Sequence, residues 1–120
     1  MEKVIRIFIF VCCSALYGQE VGIQAQQLQE ACLKCHIQEQ IPDELIYKRY
    51  LMKYSTTKSM EKAIENYLKN PKKENSIMPP PFFLKFPMKE ALVLDDENLE
   101  KNIRAFLDMF DVKKKLVLPQ

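Results

Sequence analysis

Among its 120 residues the chain has one histidine and two glycines, and beyond the first twenty residues it keeps two cysteines, Cys32 and Cys35, and one glycine, Gly22. One histidine beside one cysteine pair leaves a zinc site short of a fourth ligand. With Cys12 and Cys13 set apart near the N-terminus, no disulfide framework is available once Cys32 and Cys35 are engaged together. An excess of either charge is also missing. There are 18 basic and 16 acidic residues, and setting aside Glu2, Lys3 and Arg6 leaves 16 and 15. That balance does not suggest a nucleic-acid partner. No long hydrophobic run is present either, since Ile7 to Leu16 falls well short of the ~20 apolar residues that span a bilayer. At 48% hydrophobic and 28% charged residues, the composition is that of one small soluble domain.

The first eighteen residues read as a secretory signal peptide. Lys3 and Arg6 precede the apolar run Ile7 to Leu16, and the small residue Gly18 closes it. Cleavage is expected near Gly18, which leaves a domain over 19–111 and a basic and apolar tail over 112–120. Lipid attachment at Cys12 or Cys13 is disfavoured because bulky Val11 or another cysteine stands where a small residue is expected.

What the chain does have is Cys32-Leu33-Lys34-Cys35-His36. Cys-x-x-Cys-His is the attachment sequence of a c-type haem, in which two thiols join the haem vinyl groups and the adjacent imidazole ligates iron. On a helix these residues stand at i, i+3 and i+4, so all three project from one face against which a flat macrocycle can lie. A dithiol redox centre is the competing reading, but such pairs usually follow a strand and carry Pro or Gly between the sulfurs. Export supports the haem reading, because haem is attached covalently outside the bacterial cytoplasmic membrane. The expected location is therefore periplasmic.

Ala25, Leu28, Ala31, Cys32 and Cys35 recur at helical spacing, so the motif is expected to end an amphipathic helix over 24–38 and to set its thiols on the buried stripe. Ile41-Pro42-Asp43-Glu44 starts a second helix, with Pro in the first turn and carboxylates at the positive end of the dipole. On it, Tyr47, Tyr50 and Tyr54 suit a core position with a wet tip better than a haem propionate contact. Ser55-Thr56-Thr57 can cap a third helix. There Met60, Ala63, Ile64, Tyr67 and Leu68 match the apolar template completely before the stop at Asn70-Pro71. Residues 71–90 hold five prolines, which forbid a regular helix, together with Ile77, Met78, Phe82, Phe83, Leu84, Phe86 and Met88. A stretch so rigid and apolar is expected to wrap against a haem face or a hydrophobic core. Asp95 caps the last helix, Leu94 can staple onto Leu99, and Leu99, Ile103, Phe106, Leu107 and Phe110 form its stripe.

His36, as the lone histidine, excludes bis-histidine ligation of an iron. The sixth ligand is then Met, Lys, water or nothing. A His/Met pair suits an electron carrier, whereas an open site suits gas binding or peroxide chemistry. Met52, Met60 and Met109 lie on helices and suit core or surface roles. Met78, in Ile77-Met78-Pro79, is the leading ligand, and Met88, after Pro87, is its alternative.

In these features the chain resembles the small class I monohaem c-type cytochromes. The matching residues are Cys32 to His36, Asn70-Pro71 followed by Met78-Pro79, and a final helix with Phe106-Leu107; they extend over nearly all of 24–110. The resemblance implies an all-α bundle of about four helices wrapped round one haem c, bonded to Cys32 and Cys35 with His36 proximal and a Met distal. It also implies crossed terminal helices, with Phe106 against the first helix near Gly22 to Leu28. Differences from the family pattern are few glycines after the motif, no plain Gly and aromatic pair on the first helix, and the added Phe82 to Phe86 stretch.

The function this implies is a periplasmic carrier of single electrons between redox proteins, such as an oxidase, reductase or peroxidase, and not an enzyme. The alternative is a haem-based gas or redox sensor whose open sixth site is walled by Phe82, Phe83 and Phe86. Peroxidase chemistry lacks a distal histidine to move protons. The basic run Lys113 to Lys115 could touch a partner or a membrane surface.

Overall fold

A computed structural model describes residues 22–116. The signal-peptide reading of 1–18, and the tail beyond Leu116, lie outside them. The described residues contain five helices and no strand.

Helix α1 covers 22–38 and is not uniform. A π turn over Gln29–Leu33 separates α-helical 22–28 from the α-helical stretch Lys34–Gln38, and the Lys34 N–H donates to the Gln29 carbonyl. Widening one turn this way lines up residues five apart, so Leu28 and Leu33 become the buried pair. That rotation alters the expected stripe. Cys32 is half-buried against the core, while Ala25 and Cys35 are exposed.

Four residues turn the chain back. Gln40 adopts the left-handed region with φ 55°, and the Ile41 N–H donates to the His36 carbonyl at 2.8 Å. Helix α2, Asp43–Lys53, begins one residue after Pro42, so the proline caps the helix and does not occupy its first turn. The Pro42 carbonyl accepts from the N–H groups of Leu45 and Ile46, both at 3.1 Å. Tyr47 and Tyr50 are buried on α2, the core placement expected of them, and Tyr50 stacks on Tyr54.

Helix α3, Thr57–Lys69, is capped by Thr56, whose Oγ1 accepts from the Ser59 N–H at 3.1 Å. Met60 and Ile64 are buried, with Ala63 and Leu68 packed beside them. The stripe and the cap are as the periodicity predicts.

The proline-rich segment departs from expectation in having short helical turns. A 3-10 turn occupies Lys73–Asn75, and α4, Phe82–Lys85, is a single α-turn. Three consecutive prolines start α4 instead of forbidding it: the carbonyls of Pro79, Pro80 and Pro81 accept from Phe82, Phe83 and Leu84 at 3.0, 3.1 and 3.2 Å. Proline needs no partner for an N–H at a helix start. The Leu92 N–H donates to the Leu68 carbonyl at 3.0 Å and pins the segment to the end of α3. Ile77, Leu92 and Leu94 pack on the core, while Phe82 stacks on Phe86 and meets Phe83 edge-on, and Leu84 is 91% exposed.

Helix α5, Asp96–Met109, is capped by Asp95, which accepts from the Asn98 N–H at 3.0 Å. Leu99, Ile103, Phe106 and Leu107 meet Met60 and Ile64 of α3 and Leu28 and Leu33 of α1 in one core. Asn102, also buried, donates to the Asn98 carbonyl at 2.8 Å and accepts from Gln24 Nε2 at 3.3 Å. Asn102 thus adds a polar contact with Gln24 of α1 beside the apolar one at Leu28, and Phe106 turns its ring to His36 at the far end of α1. The basic run forms a 3-10 turn, Val112–Lys115, capped by Asp111. Lys114 pairs with Asp108 and Lys115 with Glu44, so two of its three lysines are engaged within the chain.

Candidate haem attachment site

Cys32 lies in the π turn, and Cys35 and His36 lie in the α-helical stretch that resumes at Lys34 directly after it. Their surroundings grade from core to solvent: Cys32 is half-buried against the core and Cys35 is exposed. The His36 side chain between them is 28% exposed. Phe106 meets the imidazole edge-on, with ring centroids 6.3 Å apart and planes at 89°. This ring limits how the imidazole can rotate.

Asp43, the first residue of α2, completes the arrangement. Its Oδ1 is hydrogen-bonded to Nδ1 of His36, and its side chain is 14% exposed. A carboxylate accepts only, so Nδ1 carries a proton, and in the neutral ring Nε2 keeps the lone pair. The left-handed Gln40 and the short link 39–42 return the chain so that Asp43 meets a side chain seven positions earlier. Sequence reasoning assigned Asp43 to the helix dipole alone. The available signal was its short separation from the histidine, but the turn that closes that separation occurs at a glutamine, which does not announce a left-handed conformation.

Lys89 is the second residue that sequence reasoning missed. Burial pushes the Cys32 thiol above its ordinary range, the Lys89 charge opposes this, and the Asp43 charge adds to it. Burial likewise pushes the Lys89 ammonium down, against the pull of Cys32 and Cys35. Lys89 is therefore within electrostatic reach of both thiols.

Met78 is half-buried in a bend, its N–H donated to Ser76 Oγ at 3.1 Å. Met88 is half-buried next to Lys89, and its sulfur accepts from the Tyr67 hydroxyl at 3.8 Å. Tyr67 also interacts with Ser76, so this one side chain lies between the two segments that carry the candidate methionines. Burial, partly offset by Ser76, raises the Tyr67 hydroxyl above its usual range. Tyr47, once weighed for a propionate, directs its hydroxyl to Asp111 Oδ1 at 2.9 Å.

Among the described residues no group of three or more His, Cys, Asp and Glu side chains converges to hold a metal. The motif implies a haem at this place. The residues present fit such a group on two observations: Asp43 leaves Nε2 available, and the cysteine pair runs from core edge to solvent. Among the described residues no helix is long and apolar enough to cross a membrane. Compared with models of known protein families, with characterised proteins and with solved structures, the chain matches none.

Proposed function

We propose that this chain is a periplasmic monohaem c-type cytochrome that carries single electrons between larger redox proteins. The observation that carries the reading is Cys32-x-x-Cys35-His36 on one helix with the imidazole already oriented by Asp43. Metal-ligating histidines characteristically donate their second N–H to a carboxylate, a carbonyl or water. Haem bound here would supply a one-electron iron couple, which no side chain of the protein provides.

In this reading Cys32 and Cys35 hold the group covalently, and His36 Nε2 is the proximal ligand. The exposed position of Cys35 leaves one edge of the site open to a docked partner, while Cys32 packs against the core and Phe106 meets the ring on the other side. The segment 71–90 supplies the distal thioether. Met78 leads from its Met-Pro context, and Met88 is supported by its contact with Tyr67 and by its neighbour Lys89, whose charge acts on the thiols. Partners would be redox proteins, and no catalytic step is assigned.

A second reading, a gas or redox sensor with an open sixth position, is favoured by one observation. Phe82 and Phe86 stack with centroids 4.6 Å apart and Phe83 meets Phe82 at 5.4 Å, a ready apolar wall outside the main core.

The deciding experiment is an optical spectrum of the purified exported protein, oxidised, then dithionite-reduced, then exposed to carbon monoxide. A covalent c-type spectrum with a far-red Met-to-iron band and no carbon monoxide response is the expected result. Loss of that band in Met78→Ala or in Met88→Ala identifies the distal ligand. A prompt carbon monoxide shift moves the function to sensing. Absence of covalent haem after coexpression with attachment machinery refutes both readings.

A further inference from the structure

Asp43 differs in kind from a neutral hydrogen-bond partner, because it brings a full negative charge to the histidine that would hold the iron. The pair is half-shielded, with side chains 14% and 28% exposed, and Phe106 covers one edge of the ring. Charge interactions in such a place are screened less than at the open surface. Lys89 acts on Cys32 and Cys35, and Asp43 itself acts on Cys32. Glu44, the next residue, is turned instead to Lys115.

An acceptor with negative charge draws the Nδ1 proton toward itself and makes Nε2 a stronger donor. A stronger donor stabilises the more positive ferric ion over the ferrous ion. The hydrogen bond also fixes the tautomer and the rotation of the ring, so the ligand is set before iron arrives.

We infer that Asp43 is the positioning residue of His36 and that its carboxylate holds the reduction potential of the site below the value a neutral partner would set. This rests on the haem reading above. Haem bound here would supply the one-electron couple, while Asp43 would hold the proton on His36 Nδ1 and leave Nε2 to the iron. The acidic side chain thus biases the carrier toward more reducing donors than a neutral partner would require.

The test is the midpoint potential of the purified holoprotein by spectroelectrochemistry, for wild type, Asp43→Asn and Glu44→Gln. Asp43→Asn keeps the shape and removes the charge; it is expected to shift the ferrous to ferric ratio at fixed potential at least tenfold toward ferrous, about 59 mV for one electron. Glu44→Gln removes the same charge from the same helical turn without touching His36, and is expected to shift that ratio less than twofold. Asp43→Ser, a small neutral residue suited to a helix start, carries the same expectation if the Asn variant does not fold. A mere helix-dipole role for Asp43 would change melting temperature and leave the potential alone. An unchanged potential in Asp43→Asn or Asp43→Ser, with covalent haem present, overturns the inference and leaves the cytochrome reading standing. An equal shift in Glu44→Gln overturns it too, as a general charge effect. Wild-type protein without covalent haem, seen as no mass increase, overturns the cytochrome reading itself.

Discussion

Two leucines of the same chemistry separate what the core does from what the proline-rich turn does. Leu99 on α5 is 1% exposed and belongs to the cluster that joins α1, α2, α3 and α5, whereas Leu84 on α4 is 91% exposed. Truncating a buried leucine to alanine removes its transfer energy and leaves a cavity, together about 3 kcal/mol. An exposed leucine changes stability by no more than about 0.5 kcal/mol. A domain of this size carries roughly 5–14 kcal/mol in all, so the buried substitution removes a fifth or more of it. At ~4–8 °C per kcal/mol for a chain of this length, Leu99→Ala is expected to lower Tm by roughly 12–24 °C and Leu84→Ala by less than about 4 °C. The assay is thermal and urea melting of matched preparations, with the urea slope checked for constancy. Equal losses in the two variants would refute the reasoning, because they would place the 82–86 turn inside the core and not on the surface.

The remaining expectations concern pH and helix caps. The Tyr47 hydroxyl is pushed up to about 12 by burial and by its bond to the Asp111 carboxylate. An acid raised in the folded state adds stability that is complete below its unfolded value near pH 10 and is lost as pH rises through about 12. Tyr47→Phe should therefore flatten the alkaline fall of Tm between those values, and an unaltered fall would contradict this. The backbone and side-chain hydrogen bonds from Asn98 hold the Asp95 carboxyl below the usual range. Its stabilising effect is present above the ordinary aspartate value of about 3.9 and disappears as pH falls through the lower folded one, so the Tm gap between wild type and Asp95→Ala should close on acidification. Thr56→Ala should lose about 1 kcal/mol at any pH through the missing cap, read from the urea midpoint.

Helices α3 and α5 were legible from sequence with their caps and stripes. A period of 3.6 residues and a Thr or Asp acting on the residues just after it are properties of a few neighbouring positions. The attachment motif was legible for the same reason, since its three side chains stand within five residues. Other features depend on more than one element. The π turn at Gln29–Leu33 aligns Leu28 with Leu33 on one buried face, a demand made by the packed neighbours and not by local propensity. Three prolines that forbid a helix interior instead open one turn of helix, because the distinction lies in which side of the prolines the helix runs.

Sequence by itself determined that the described chain is helical, where its main helices begin, and which thiols and imidazole form the candidate haem attachment. Tertiary structure alone decided that Asp43 meets His36, that Phe106 abuts the same imidazole, and that the charge of Lys89 acts on the thiols. The physical reason is range. Periodicity, capping and motif spacing act along one stretch of backbone. The second set requires a left-handed Gln40 and the packing of α1, α2 and α5 with the 71–95 segment, and no single stretch of residues contains those energies.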